Sequence, residues 1–418
     1  MLTPRENLRI TQVGPGTPMG NVMRCYWQPL LLAEELGEAD GAPVRVRLLG
    51  EDLIAFRDTD GAVGLVDAYC PHRRAPLFFG RNEERGLRCV YHGWKFDRSG
   101  ACVDMPSEPP DSLFKSKVTV TAYPTWEGGG LVWAYLGPRE NRPPPPAFDF
   151  VRVPPTHRNV VKMLQENNWL QGLEGAIDSV HSGFLHNDDL REKSQLRNAP
   201  ARVEFERTAH GLAGAAIHAL GDGRNYVRAF TYIMPTHSLR VRTLGRTGAP
   251  EEIPTVSGQI WVPIDDRTSW LYNYMYATRP DRPLNAAFVD ARNALYGRGP
   301  DDFGAGYRLK RNRENDYMID RELQRTRSFS GIKGMNTQDI ALQECMGPVL
   351  DRSKEHLAHS DRVIIALRKG LLEAADTVER GERPGAADPA DYAGVRLTDV
   401  IVDERVDWAD ALREGVLR

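Results

Sequence analysis

Two pairs of soft metal ligands, Cys70-Pro71-His72 and Cys89-Val90-Tyr91-His92, constrain this chain more than any other feature of its sequence. Each pair sets a thiol and an imidazole within a few residues of one another, so each must lie on a tight turn. The two turns must then face each other to share one metal group. Thiolates combined with imidazoles suit zinc or an iron–sulfur cluster. Zinc ligands usually pair as Cys-x2-4-Cys and His-x3-5-His. A mixed pair on each of two turns instead suits a [2Fe–2S] cluster in which one iron takes both cysteines and the other both histidines. Pro71, Gly93 and the flanking hairpins fit two backbone loops whose N–H groups point at the sulfides.

The sequence around these turns reads as strands. Val44, Val46 and Leu48 alternate with arginines, as on a half-buried strand. Asp60-Gly61 separates two apolar runs, a strong hairpin signal. Ser99-Gly100 marks a further turn, and Leu131–Leu136 a buried strand. The expected organisation is an N-terminal segment (1–43), a small all-β domain (44–140), a proline-rich linker (141–149) and a larger domain (150–418). In the last, a helix is expected from about Gln165 to Ser182, then strands from about Ala201 to Tyr276. Helices should follow around Asp301–Arg327 and Ser353–Arg380, the latter carrying an apolar stripe of Leu357, Val363, Ile364, Leu367 and Leu371.

Composition narrows the classes further. The 418 residues are 41% hydrophobic and 27% charged, with a formal net charge of −3, as in a soluble globular protein. This balance gives no argument for nucleic-acid or bilayer binding. No apolar run approaches the roughly 18 residues that suggest a membrane span. The N-terminus lacks a secretory pattern, so a cytoplasmic protein is expected. Of five cysteines, Cys25, Cys102 and Cys345 lie outside the metal pairs and are expected to be reduced, mostly buried thiols.

A second set of ligand types follows at Glu174, Asp178, His181 and His186. Two imidazoles and one carboxylate form a facial triad that leaves three positions open on ferrous iron. His181 and His186 would supply the imidazoles. A spacing of five is poor for one helix face, so the helix should unwind at Ser182-Gly183. Asp178 precedes His181 by three residues, which on a helix places both on one face. It could accept the other imidazole N–H or be an ordinary surface carboxylate. Nothing acidic nearby fits as the third ligand, which must come from a distant segment.

Cys70-Pro-His-Arg-Arg-Ala-Pro-Leu77 and Cys89-Val-Tyr-His-Gly-Trp-Lys-Phe96 resemble the Rieske domain of ring-hydroxylating oxygenase large subunits. Asn168 to His186 resembles the iron-binding helix of the same enzymes. Thr11–Gly20, Arg313–Asp320 and Met346–His356 are similar to the phthalate dioxygenase branch, so the resemblance covers nearly the whole chain. It implies an α+β architecture: an all-β Rieske domain, then a helix-grip catalytic domain (an antiparallel sheet around a long helix) with extra C-terminal helices. It implies a Rieske [2Fe–2S] cluster on Cys70, His72, Cys89 and His92, and a mononuclear Fe(II) on His181, His186 and Asp339, with Glu344 as the fallback carboxylate. It implies that Asp178 joins His181 to His92 of a neighbouring subunit, hence a homotrimer or stacked trimers. A flavin- and ferredoxin-type reductase would be the redox partner.

The resemblance also implies an aromatic acid as substrate, with O2, in a cis-dihydroxylation or an O-demethylation. A Rieske electron carrier with an inert second domain is the rival from another class. An anionic substrate calls for a buried arginine. Strand alternation puts Arg207 on the face of Val203 and Phe205, and phthalate-type enzymes use an arginine matching this position. A strand-end arginine paired with a glutamate is the alternative. A second clamp is expected among Arg240, Arg242 and Arg246, with Arg242 and Arg246 taken as the candidates.

Overall fold

The computed structural model describes residues 2–188, 190, 201–244 and 248–416. Its N-terminal half holds three small antiparallel sheets. One pairs Val44–Leu48, Glu51–Arg57 and Val63–Asp67, joined at the expected Asp60-Gly61 turn. There the Asp58 carboxylate accepts the Asp60 and Ala62 N–H groups, at 3.0 and 2.9 Å, a side-chain turn of the kind that makes aspartate common in hairpins. A second runs through Arg81–Glu83, Gly86–Arg88, Lys95–Asp97 and Cys102–Asp104. The third pairs Trp27–Leu32, Leu131–Tyr135 and Thr125–Gly128. Cys70 and Cys89 sit in a separate small core with Phe56, Leu77, Leu87 and Phe96. The two thiols are therefore fixed by apolar packing rather than by the loops alone.

The second half is built on one antiparallel sheet. Its order is Arg158–Gln165, Ser269–Ala277, Pro250–Pro263, His237–Leu244, Arg224–Ile233, Gly211–Ala219 and Arg202–Thr208, with Asp399–Asp403 pairing onto Arg224–Ile233. The expected strands 203–207, 226–233, 237–244 and 258–264 all fall within or against these spans. The helix Trp169–Ile177 packs over the central strands, beside Met335–Cys345 and Arg362–Glu379. The α+β, helix-on-sheet organisation is as expected. The N-terminal helices Pro4–Thr11 and Pro18–Met23 lie against Arg362–Glu379, and Arg9 pairs with Asp376 and Glu379.

The helical expectations need correction in detail. Instead of one helix over 165–182, strand continues to Gln165 and the helix spans Trp169–Ile177. The Asn168 side chain accepts the Leu170 N–H and donates to Thr11 and Asp266 carbonyls, which fixes where the helix starts. At the other end, the Asp178 carboxylate accepts the Val180 N–H at 2.8 Å and draws the backbone into a turn. The expected helix at 301–327 is broken into short turns, with positive φ at Asp316, Tyr317 and Met318. The last long helix begins at Arg362 rather than Ser353. Val363, Ile364, Leu367 and Leu371 form its buried stripe, and Leu357 lies before it. Among the described residues no helix is long and apolar enough to cross a membrane. Cys102 is buried and Cys25 half-buried, but Cys345 is exposed, contrary to expectation.

Candidate functional site

The first candidate centre lies on two facing turns. Arg74 N–H closes one turn on the Cys70 carbonyl and Gly93 N–H the other on the Cys89 carbonyl, at 2.9 and 3.0 Å. The His72 and His92 rings meet edge to face, 4.5 Å between centroids, and the Trp94 indole stacks on His72 at 4.3 Å. Burial pushes the Cys70 thiol up to about 11, against the lowering effect of the His72 backbone N–H. The cysteines are therefore buried and the histidines half-exposed at the tip.

The spread of these four ligands discriminates between metal groups. One zinc ion, with bonds of 2.0–2.3 Å, holds its ligand atoms about 3.3–3.8 Å apart. Among the described residues, the one set of three or more such side chains gathered within 4.8 Å is His181, His186 and Asp339. No three of Cys70, His72, Cys89 and His92 gather within 4.8 Å, a wider spread than one zinc ion imposes on its ligands.

The second centre is assembled from three elements. His181 ends the turn that follows the Trp169–Ile177 helix, His186 follows the short helix Ser182–Leu185, and Asp339 projects from Met335–Cys345. Gly172 and Gly175 let the first helix settle: a Cβ at Gly172 would overlap the Trp261 indole, and one at Gly175 the Gln343 amide. His181 Nε2 and His186 Nε2 lie 3.3 Å apart, and each is 3.4 or 3.3 Å from Asp339 Oδ1. Three near-equal separations of this size suit three positions on one metal ion, for which bonds near 2.1 Å give about 3.0 Å between adjacent octahedral positions and about 3.4 Å between tetrahedral ones. Opposite positions would need about 4.2 Å.

Both imidazoles are held from behind. His181 Nδ1 faces Asp178 Oδ2 at 3.3 Å. His186 Nδ1 faces Gln338 Oε1 at 2.6 Å, and Gln338 Nε2 donates to the Ile332 carbonyl. That second bond fixes the amide's orientation, so its oxygen accepts from His186. Each Nδ1–H is therefore committed to its partner behind the ring, and Nε2 is the atom that each histidine turns towards Asp339. Burial alone would lower the His181 pKa, but Asp178 and Asp339 raise it to about 9. Burial would raise Asp339, yet the two imidazoles hold it far below the ordinary carboxylate range. Asp178 meets His181 as expected, though through the turn it caps and not through a shared helix face. Glu344 does not reach this group: it accepts from the Glu166 N–H at 2.7 Å and from the Tyr317 hydroxyl.

A cavity of about 160 Å³ opens from His186 and Asp339 between the helices and the sheet. Phe230, Val241 and Met275 give it apolar walls; Arg228, Arg240, Arg242, Arg292 and Arg298 line it too, alongside Asp178, Asp188 and several neutral polar side chains. The expectation for Arg207 is corrected. It lies at the exposed end of its strand, paired with Glu373 at 2.7 Å, and outside this cavity. Val203 and Phe205 do face the core, but the strand end lifts Arg207 off it. Arg242 does line the cavity, paired with Glu251 at 2.6 Å. Arg246 lies outside the described residues.

Sequence reasoning passed over Gln338 and did not choose Arg240. Arg240 lines the cavity and its Nη2 is buried without a partner. The signal was present: Arg240 and Arg242 share a strand face, and Arg228 donates to the Val241 carbonyl from the adjoining strand. Arg292, Tyr296 and Arg298 come from a helix and the turn after it, and no local pattern points to them.

Comparison with known proteins adds independent findings. Residues 26–124 match the Rieske [2Fe–2S] domain family and residues 134–414 the family described as LigXa C-terminal domain like. The chain is 40% identical to the phthalate 4,5-dioxygenase oxygenase subunit of Pseudomonas putida, over 98% of this chain and 94% of that protein. It is 38% identical to the 3-chlorobenzoate-3,4-dioxygenase oxygenase subunit of Comamonas testosteroni, over the full length of both. It is 32% identical to the 5,5'-dehydrodivanillate O-demethylase oxygenase subunit of a Sphingobium strain, over all of this chain and 89% of that one.

Proposed function

The chain belongs to the Rieske non-heme iron oxygenases, in the branch of the phthalate dioxygenase oxygenase subunits, and from this premise we propose that it is the terminal oxygenase acting with O2 on an aromatic carboxylic acid. Electrons come from a partner reductase, of the flavin and ferredoxin type. The observation that carries this reading is the near-equilateral His181, His186, Asp339 group at the mouth of a cationic, apolar-walled cavity.

We propose Cys70, His72, Cys89 and His92 as the holders of the [2Fe–2S] cluster, which when bound supplies single electrons at a potential raised by its imidazole ligands. We propose His181, His186 and Asp339 as the holders of ferrous iron, which when bound supplies open positions for oxygen and substrate chemistry. The chain's own contribution is orientation. Asp178 and Gln338 fix the imidazole rings, Arg240 attracts a carboxylate towards Asp339, and Phe230, Val241 and Met275 limit water beside the reacting ring.

We further propose a homotrimer, in which Asp178 of one subunit meets His92 of the next. Two observations support it. Val90 and Tyr91, beside His92, are 58% and 55% exposed, as suits a tip that docks elsewhere. The Asp178 side chain, behind His181, keeps 31% of its surface open. A cytoplasmic location fits this role.

The favoured reaction is cis-dihydroxylation, and O-demethylation is the second reading because one full-length relative is an O-demethylase subunit. Turnover of the iron-loaded protein with reductase, NADH and O2 on a panel of aromatic acids tests both. A product gaining two oxygens and two hydrogens establishes a dioxygenase. Loss of a methylene unit with formaldehyde establishes a demethylase. Cluster reduction with no product from any acid would overturn the oxygenase reading in favour of an electron carrier.

A further inference from the structure

We infer that Asp399, on the C-terminal strand, is a positioning residue for the substrate cavity: its carboxylate holds, at a set spacing, the two parted strands that carry Arg228 and Arg242. This rests on the aromatic-acid reading above and names a distant part of the chain that shapes the same site. The observation is a split in the large sheet. Arg224–Ile233 and His237–Leu244 pair from Ile233 opposite His237 as far as Phe230 opposite Arg240. Continued by two residues, that register would set Arg228 directly opposite Arg242, on one face of the sheet. Like charges in directly opposed positions are destabilising. The strands part there instead. His237–Leu244 stays with Pro250–Pro263 on its other side, and Asp399–Asp403 takes its place beside Arg224–Ile233, with Asp399 opposite Arg228.

Parted strands leave backbone N–H groups to satisfy. Asp399, 3% exposed, does this with its side chain. Its carboxylate accepts the Thr243 N–H at 3.1 Å and the Leu244 N–H at 3.3 Å, together with the Thr243 hydroxyl. From the opposite lip it accepts the Tyr226 hydroxyl at 2.9 Å. One side chain thus stands where a strand-to-strand ladder would have run. A second bridge crosses the split where Arg228 Nε donates to the Val241 carbonyl at 3.0 Å. The inserted strand is itself anchored on both faces. Ile401 joins Leu220, Tyr226 and Leu244 in one apolar cluster, and Val400 and Val402 pack with Trp408 and Leu412 of the last helix.

Both lips of the split line the cavity, Tyr226, Arg228 and Ala229 on one and Val241 and Arg242 on the other. Asp399 is not among the lining residues, so it acts through them. Its role therefore differs in sign from a plain charge effect. Removing a carboxylate near a cationic wall would strengthen the binding of an anion if charge alone mattered. Removing the bonds that space the lips weakens binding, because the wall no longer matches the ligand.

Asp399→Asn tests this in the whole protein carrying both iron centres, under nitrogen, by calorimetry with benzoate, phthalate, 3-chlorobenzoate and 3-phenoxybenzoate. The variant keeps the side chain's size and replaces one acceptor oxygen by a donor. The acid that binds the wild type most tightly is expected to bind the variant about tenfold or more weakly, with the iron content unchanged. Equal or tighter binding would overturn the inference, whatever happens to thermal stability. Hydrogen exchange adds a reading that needs no ligand. The Thr243 and Leu244 amides should exchange about tenfold or more faster in the variant, and unaltered rates would count decisively against Asp399 as the spacer. Should Asp399→Asn not fold, Thr243→Val, outside the cavity wall, removes one donor alone and should weaken the same acid about threefold; an unchanged Kd sinks the inference. If none of the four acids binds the wild type, the aromatic-acid reading falls, and the exchange rates alone decide on Asp399.

Discussion

His181 and His186 present Nε2 to Asp339 because Asp178 and Gln338 accept at their Nδ1 atoms. Such partners of a metal-binding imidazole typically change affinity or activity by about 10–100-fold when removed. Gln338→Leu is therefore expected to weaken iron binding at the triad by that factor, read by titrating Fe(II) into the metal-depleted site, with the visible spectrum of the cluster unchanged. Asp339→Ala removes a ligand outright. Metal analysis should fall from three irons per chain to two, and turnover should vanish; retention of three would remove Asp339 from the proposed ligand set. At this scale the sequence was most legible where ligand chemistry is local. Cys-x-His and Cys-x-x-His define their turns within a few residues. Arg207 was misread because alternation gives a face but not whether the strand end still lies over the core. Gln338 was invisible because its partner, His186, is distant in sequence and joined to it only by folding.

Among the elements, the Trp169–Ile177 helix sets the position of the iron ligands through its contacts on three sides. Gly172 meets the Trp261 indole, which is itself pinned by its hydrogen bond to Gln165 Oε1 at 3.0 Å. Gly172→Ala should cost about 1–3 kcal/mol, measured as a shifted urea midpoint, and should lower iron occupancy by displacing the helix. On the side away from the sheet, Glu174 is buried between Arg352 and Arg368, with bonds of 2.9 and 2.7 Å. Burial raises its pKa, but the two guanidiniums lower it below the ordinary 4.5. A depressed folded pKa means stabilisation that is complete above 4.5 and lost as pH falls through the folded value. Glu174→Gln is expected to destabilise by about 3 kcal/mol at neutral pH, since it strands the buried Arg352 while Arg368 keeps Glu355. The gap in Tm between wild type and variant should narrow as pH drops below 4.5; a constant gap would contradict the assignment. The strands here were legible from alternation. The helix ends were not, because Asn168 and Asp178 set them with side-chain bonds that a period cannot reveal.

For the whole molecule, the proposed trimer makes each active centre a joint product of two chains. Chains that lack the cluster (Cys70→Ser) and chains that lack the iron site (Asp339→Ala) should each be inactive alone. Co-expressed, they should recover up to roughly a quarter of wild-type turnover, the share of random junctions in which an intact cluster meets an intact iron site. Mixed trimers with no recovered activity would place electron transfer within one chain and remove the role proposed for Asp178 between subunits. Light scattering should give the mass of three 46.9 kDa chains or a multiple of it.

By itself the sequence determined the two centres, their order along the chain, the all-β character of the small domain and the strand-rich larger one. Those follow from ligand chemistry at short spacing and from apolar periodicity, both of which act over a few residues. Only the tertiary structure decided which arginines line the cavity. Arg240 on a strand, Arg228 on its neighbour, and Arg292 and Arg298 around a helix end converge on one cavity. Their approach is imposed by sheet register and by the Gly297–Gly334 contact, long-range relations that no local pattern encodes.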